Sequence, residues 1–141
     1  MHELHTTRRV EFADTDMGGI VHFSRYLVFM ETAEHEFLRA AGTDVDLRLP
    51  DGRRIGWPRV AVSCEYKSPA RYGDLLDIHV RVLRKGRSSL SYGIRFSCGG
   101  REVAEGRVTS VCCELAPGEE VRSIPIPDSI ARRIDQPPDG R

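Results

Sequence analysis

The densest group of side chains able to do chemistry is the acidic run ADTDMGG at residues 13–19. A carboxylate can bind a cation, accept a proton or attack an electrophilic carbon. An EF-hand loop starting at Asp14 is excluded, because it needs oxygen ligands where Gly18 and Arg25 stand. No G-K-[ST] follows for a phosphate loop. We expect no metal, and two interpretations remain: Asp14 and Asp16 carry chemistry, or they form Asx turns and cap a helix.

The acidic run lies between a predicted strand and a predicted helix. Residues 4–12 mix β-branched, aromatic and charged side chains at near alternation, which is typical of a strand. Apolar residues then recur at steps of three and four, and Gly42 follows as a stop signal. They are Phe23, Tyr26, Leu27, Met30, Ala33, Phe37, Leu38 and Ala41. The pattern predicts one helix of about eighteen residues, roughly 27 Å long, that crosses the core.

Apolar and β-branched residues return in four blocks after a polar stretch at 43–56, which predicts irregular structure. The blocks cover residues 57–66, 75–83, 89–97 and 102–114. Turn-forming residues separate them, so they most simply form an antiparallel meander. The expected α+β fold is a five-stranded antiparallel sheet wrapped around one long central helix. Its open edges favour pairing with a second copy, where Glu34, inside the apolar stripe, would find a partner.

Composition limits the class of protein. The chain has 141 residues, the size of one domain, which we assign to 1–135, and QPPDGR at 136–141 predicts a flexible tail. Lys plus Arg and Asp plus Glu both total 21, so no overall field attracts nucleic acid or a membrane. The N-terminus lacks the apolar stretch of a signal peptide, and no run of eighteen apolar residues occurs. These features predict a soluble, cytoplasmic protein.

The cysteines show no metal-binding or redox spacing. No C-x-x-C motif occurs, so reduced structural thiols are the simplest interpretation. A Cys-His nucleophile is the alternative, but no local signature joins any of the five His residues to a cysteine. The four cysteines are Cys64, Cys98, Cys112 and Cys113.

The run VEFADTDMGGIVHFSRYLVFMETAEHEFLRAAG, residues 10–42, closely resembles the opening of the 4-hydroxybenzoyl-CoA thioesterase family and its acyl-CoA thioesterase relatives. The shared pattern is an apolar strand, D-x-D-x-x-G-[IV]-V, and a helix with a tyrosine and an acidic residue. Weaker likeness continues through 60–69, 73–74, 84–89 and 124–127. The resemblance implies a hotdog fold and hydrolysis of an acyl-CoA or aroyl-CoA thioester without a cofactor.

The resemblance also implies catalytic roles by position. It makes Asp16 the essential carboxylate, which either attacks the thioester carbonyl or activates water, and it gives Asp14 a structural role. The oxyanion hole would be formed by backbone N–H groups near His22 and Phe23, where the positive end of the helix dipole opposes negative charge. Glu31 matches a second acidic position that could orient water. A solvated or interface glutamate is the alternative there, because Glu31 lies at the margin of the apolar stripe.

The substrate-binding residues follow from the same resemblance. The loop glycine and side chains at the helix start would line the acyl pocket, and the turn at 84–89 would hold the nucleotide phosphates of CoA. The alternatives are ordinary turn glycines, a structural helix start and a solvated hairpin. Trp57 replaces a small polar residue of the 4-hydroxybenzoyl enzyme, so a different acyl pocket is expected. The candidate residues are Gly19, His22, Tyr26, Trp57, Arg84, Lys85, Arg87 and Ser88.

Two other functions are compatible with the sequence, and an oligomer is expected. A hotdog dehydratase or hydratase would need a histidine paired with an acidic residue, and no such pair is evident at the helix entrance. A non-catalytic acyl-CoA sensor is the third possibility, although the chain has no DNA-binding element and keeps the acidic loop. The resemblance implies a homodimer, with a dimer of dimers as the full assembly and sites shared between subunits.

Overall fold

The computed structural model describes residues 1–136. Five strands, all antiparallel, form the main sheet in the order β1-β5-β6-β7-β4, and the predicted antiparallel sheet is thereby confirmed. The strands of this sheet are β1 (Glu3–Arg9), β4 (Arg59–Tyr66), β5 (Leu75–Lys85), β6 (Ser89–Cys98) and β7 (Arg101–Val111). Four short strands form a second sheet: β2 (Leu47–Arg48), β3 (Arg54–Gly56), β8 (Cys113–Leu115) and β9 (Arg122–Ser123). The helices are α1 (Arg25–Ala40) and α2 (Asp128–Ala131), and Phe12–Asp14 form one 3₁₀ turn.

The simple meander is wrong for the first of the four predicted blocks. Strands β5, β6 and β7 pair in sequence, but β4 pairs with β7 at the far edge. The reason is that β1 occupies the place beside β5, with His5 opposite His79 in the register. Strand β4 is therefore left at an open edge.

Helix α1 has sixteen residues and begins at Arg25, two residues after the predicted start. At 1.5 Å per residue it is roughly 24 Å long. It ends as predicted, since Gly42 has a φ of 81° and Thr43 N–H donates to the carbonyl of Leu38 at 2.9 Å. The left-handed conformation at Gly42 is one that a side chain would strain. Neither helix of the described residues is long and apolar enough to cross a membrane.

The core lies between one face of the main sheet and the buried stripe of α1. Alternate residues of β5 and β6 point inward, and Phe29, Met30 and Phe37 of the helix meet them. Gly106 on β7 permits close approach, because a Cβ there would overlap the Met30 Sδ atom. Burial of these large side chains is the main stabilising term, at about 25 cal/mol per Å² of apolar surface.

The stretch at 43–56 was expected to be irregular, and this is wrong in part. It contains β2 and β3, in which Leu47 pairs with Ile55. Ile55 is fully buried, so the short strands are stabilised by joining the core rather than by their own sequence. Of the predicted tail, Gln136 accepts a hydrogen bond from the amide of Lys85 at 2.8 Å. The remaining tail residues, 137–141, lie outside the described part of the chain.

Candidate active site

Asp14 joins the acidic loop to the start of helix α1. It is fully buried, and its Oδ1 accepts hydrogen bonds from Arg25, at 2.9 Å from Nε and 2.7 Å from Nη2. Its Oδ2 accepts the amide of Glu11 at 2.8 Å, which closes the 3₁₀ turn. Buried carboxylates are stable only when paired and hydrogen-bonded in this way. The contacts make Asp14 a structural anchor.

Asp16 sits at the tip of the loop, and its side chain is exposed. Thr15 bridges to Val21, and the amide of Asp16 donates to the carbonyl of Ile20 at 2.9 Å. The Asp16 Oδ1 accepts the amide of Gly18 at 2.8 Å, which is an Asx turn. Among residues 1–136 the other carboxylate oxygen has no hydrogen-bond partner. One oxygen therefore braces the turn while the second is open to a ligand.

Gly19 has a backbone conformation that suits this loop. Its φ is 78°, the left-handed region where side chains are strained, and no atom lies within 4 Å of a Cβ built there. The conformation turns the chain back so that the amide of Gly19 donates to the carbonyl of Asp16 at 3.0 Å. Gly19 shapes the loop and leaves open space beside it.

The backbone amides of residues 22–24, just before the helix, differ in their hydrogen bonds. The amide of His22 is already used, because it donates to the carbonyl of Asp14 at 2.8 Å. The amide of Ser24 donates to His22 Nδ1 at 3.2 Å. Within the described chain only the Phe23 amide of these three has no acceptor. Of the two predicted oxyanion donors, Phe23 is therefore available and His22 is occupied.

Tyr66 holds this entrance in place and was not foreseen. Its hydroxyl donates to the carbonyl of Phe23 at 2.9 Å, from the last residue of β4. The imidazole of His22 stacks on the Phe23 ring at 4.5 Å and has its Nδ1 2.7 Å from Ser24 Oγ. These contacts fix the peptide group that carries the free amide. The sequence places Tyr66 more than forty residues away, so no local signal pointed to it.

Glu31 lies on an exposed stripe that runs along α1 from the site. Leu27 and Glu31 are four residues apart on α1, so they share one helix face, and Phe23 lies just before the helix. Phe23 is 65% exposed and Leu27 is 41% exposed. In the described residues Glu31 makes neither an ion pair nor a side-chain hydrogen bond. Within the described residues its carboxylate is therefore free to bind water or a ligand.

Tyr26 and Trp57 were predicted to bind substrate, and the structure places both inside the core. Each is 3% exposed. Tyr26 packs edge to face against Phe29 and Phe96, and burial raises the pKa of Tyr26 to about 12. Trp57 Nε1 has no hydrogen-bond partner in the described part of the protein. In a single chain these two side chains pack the core and do not line an open surface.

The residues of the predicted phosphate turn, 84–89, differ in whether their side chains already have partners. The Lys85 ammonium donates to the carbonyls of Ala131 at 2.9 Å and Ile134 at 2.7 Å, where it closes the C-terminal end of α2. Arg84 and Arg87 are exposed, and neither forms an ion pair within residues 1–136. Ser88 is half-buried, and its carbonyl accepts the Cys112 amide. The two arginines are the free cations of this turn.

The cysteines do not offer a nucleophile. All four are free thiols, and burial raises the pKa of Cys112 to about 11. Burial also raises the pKa values of Cys64 and Cys113. A nucleophilic cysteine needs a lowered pKa so that the thiolate is present. The thiols are therefore structural, as the sequence predicts.

Glu34 was expected to find its partner at a subunit interface, and this expectation is wrong. Its carboxylate is fully buried and is bound in the same chain by Arg59 Nη2 at 2.9 Å and by the hydroxyl of Ser110 at 2.8 Å. The partners come from β4 and β7, which the sequence could not place beside the helix. Burial and the charge of Glu34 raise the pKa of the neighbouring Tyr92.

Comparison with known proteins identifies the class. A model of the Thioesterase-like superfamily matches residues 10–134. A 1,4-dihydroxy-2-naphthoyl-CoA hydrolase of Synechococcus is 31% identical over 138 residues, with 94% of this chain and 88% of the relative covered. The chain belongs to the Thioesterase-like superfamily, and the family resemblance is confirmed.

Two other similar proteins agree in class. An acyl-CoA thioester hydrolase of Escherichia coli is 29% identical over 107 residues, with 75% of this chain and 78% of the relative covered. The solved structure of a gentisyl-coenzyme A thioesterase is 30% identical, with a TM-score of 0.80 and coverage of 94% of this chain and 100% of that chain. The fold is the hotdog fold.

Proposed function

We propose that the protein hydrolyses an acyl-CoA or aroyl-CoA thioester to the free acid and CoA. The observation that carries the proposal is the pairing of an open Asp16 carboxylate oxygen with a free Phe23 amide at the start of α1. Similarity to a naphthoyl-CoA hydrolase and a gentisyl-CoA thioesterase supports the reaction class. An aromatic acyl group is in keeping with both of these relatives.

The reaction needs a base or nucleophile and a donor for developing negative charge. Asp16 supplies an exposed carboxylate that keeps one oxygen outside the Asx turn. It attacks the thioester carbonyl carbon directly or removes a proton from the water that attacks. The Phe23 amide donates to the carbonyl oxygen as it becomes negative. The C–S bond then breaks, and the thiolate of CoA takes up the proton that the attacking water loses. Where Asp16 itself has attacked, Glu31 orients the water that hydrolyses the acyl–Asp16 anhydride and so frees the acid.

The substrate would lie along the exposed face beside the loop. In this proposal Gly19 and His22 contact the thioester end, and Tyr26 and Trp57 support the acyl site from within the core. Arg84 and Arg87 bind the CoA phosphates, because both guanidinium groups are exposed and suit bidentate contacts. Lys85 and Ser88 complete that turn, with the Lys85 ammonium shared with the α2 carbonyls.

Thiol release measures the proposed reaction directly. We expect CoA thiol to appear when the protein meets a panel of aliphatic, benzoyl, gentisyl and naphthoyl thioesters, with the fastest turnover for an aromatic acyl group. Crotonyl-CoA hydration, followed in parallel, tests the hydratase alternative. In the same assay Arg84→Ala and Arg87→Ala should raise KM and leave kcat nearly unchanged. Hydration without thiol release, or binding without either reaction, would overturn the proposal.

We further propose that a second copy completes the site, with a dimer of dimers as the larger assembly. Strand β4 is an open edge, and it is lined by exposed apolar residues such as Val60 and Val62. The exposed helix stripe with Phe23 and Leu27 lies on the same chain, so a neighbour at β4 would cover apolar surface that is costly to leave in water. In such a dimer the main sheets of the two copies would lie on either side of the helix, which would then be central. Free thiols favour the cytoplasm as the location.

A charge on β4 tests the dimer. Val62 is 52% exposed, so Val62→Arg can be accommodated in a monomer but would bury a charge in the dimer. We expect this variant to sediment as a monomer and to lose thiol release. Val121→Arg is the matched control, because Val121 is 60% exposed and lies away from the main sheet, before β9. Equal sedimentation of the two variants would contradict the β4 interface.

A further inference from the structure

Three possible metal ligands lie together on the outer face of the main sheet, away from α1. Glu3 and His5 are two residues apart on β1, so their side chains share a face. His5 lies directly opposite His79 of β5 in the antiparallel register. One donor atom from each of the three residues falls within 4.8 Å of the others. We propose that Glu3, His5 and His79 bind one divalent transition-metal ion.

The three side chains lie close together without a metal. The imidazole rings of His5 and His79 stack with centroids 4.0 Å apart and planes 8° from parallel. The Glu3 Oε2 lies 2.8 Å from His79 Nε2. Paired strands fix the three backbones, so binding requires the two rings to turn out of their stack and the Glu3–His79 hydrogen bond to be exchanged for bonds to the ion. A site whose ligands are already in place loses less conformational entropy on binding.

The donor set selects the class of metal. Two neutral imidazoles and one carboxylate suit Zn²⁺, Ni²⁺ or Cu²⁺, whereas Mg²⁺ and Ca²⁺ prefer sites made only of oxygen ligands. Three protein ligands leave a fourth tetrahedral position for water. Both the rings and the carboxylate are partly exposed, since the Glu3 side chain is 46% exposed and that of His79 is 25% exposed. An ion can therefore reach the site from solvent.

The charges around the three ligands are nearly balanced. Arg81 lies opposite Glu3 in the register, and Arg95 lies opposite His79. The Arg95 guanidinium is 3.6 Å from the carboxylate of Glu105, which offsets its charge. Asp77 belongs to the same face, two residues before His79. Within residues 1–136 Arg81 forms no ion pair, so its guanidinium is an uncompensated positive charge beside the ligands. The site goes beyond the proposed hydrolysis, because it faces away from the acidic loop and helix entrance.

Zinc binding to untagged protein tests the proposal. We expect isothermal titration calorimetry to give one Zn²⁺ per chain. Zinc at one hundred times its Kd should raise Tm by about 5 °C or more, since only the folded strands bring the ligands together. His5→Ala and His79→Ala should each weaken binding at least about tenfold, and Glu3→Gln should weaken it as well. Mg²⁺ should produce no shift.

Two control variants make the result specific. His35→Ala removes a histidine of α1 whose Nε2 lies 3.1 Å from Arg59 of β4, the strand at the opposite edge of the sheet from β1, and should leave zinc affinity unchanged. His2→Ala should also leave it unchanged, because His2 is not among the three converging donors. The proposal is overturned if zinc fails to bind in a saturable manner. It is overturned equally if the His5 and His79 variants bind zinc as tightly as the His35 variant.

Discussion

Replacing Asp16 with asparagine is expected to lower kcat for thioester hydrolysis by roughly 10²–10⁴-fold, the range typical of a lost general base. The substitution removes the negative charge but keeps an amide oxygen in the position that accepts the Gly18 N–H at 2.8 Å. The Asx turn should therefore survive, and with it the loop and the helix entrance. KM and the denaturant midpoint should change little, so the loss appears in kcat. Thiol release under saturating substrate measures it.

Asp51→Asn is a matched control for this experiment. Asp51 also closes an exposed Asx turn, in which its Oδ1 accepts the amide of Arg53 at 3.0 Å. It lies between β2 and β3, remote from the acidic loop in sequence. Its variant should keep full turnover, which separates loss of a turn charge from loss of the catalytic one. Turnover by Asp16→Asn within a few-fold of the unmodified protein would remove Asp16 from the mechanism.

The helix and the strands could be predicted because their signals are local. Apolar side chains at steps of three and four identify α1, and Gly42 ends it where a left-handed residue is required. The start was placed two residues early, because Phe23 continues the apolar pattern although its backbone lies outside the helix. The order of the strands could not be predicted in the same way. Strand β4 lies beside β7 because β1 occupies the place beside β5, and no residue of β4 indicates this.

The candidate site, like the fold, could be predicted where its signals are local. The acidic loop and the residue before the helix belong to one local segment, so the sequence alone could propose Asp16 and Phe23 as members of one site. Residues whose roles depend on distant contacts were not predicted from the sequence. Tyr66 donates a hydrogen bond to the Phe23 carbonyl, and Arg25 binds the buried Asp14. The sequence likewise does not reveal the Ala131 and Ile134 carbonyls that the Lys85 ammonium contacts. Tertiary partners, more than residue types, decided these roles.

Removing the guanidinium of Arg59 should produce the largest loss of stability. Arg59→Met leaves the fully buried Glu34 carboxylate with only the Ser110 hydroxyl as a partner. An uncompensated buried charge typically costs about 3–5 kcal/mol of unfolding free energy. Methionine keeps much of the aliphatic volume, so the loss reflects charge rather than packing. Urea unfolding at one fixed protein concentration measures it, because a dimer makes apparent stability depend on concentration.

An exposed ion pair and a double variant show whether the unpaired buried charge causes the loss of stability. Arg54 binds Asp46 at 2.8 Å with both side chains about half exposed, so Arg54→Met should cost less than about 1 kcal/mol. Replacing both buried partners, as Glu34→Leu with Arg59→Met, should recover most of the lost stability, since no charge is then left without a partner. If Arg59→Met cost no more than Arg54→Met, the buried pair would contribute no more than a surface one. The contribution of burial is therefore the difference in unfolding free energy between the two arginine-to-methionine variants, measured in the same chain.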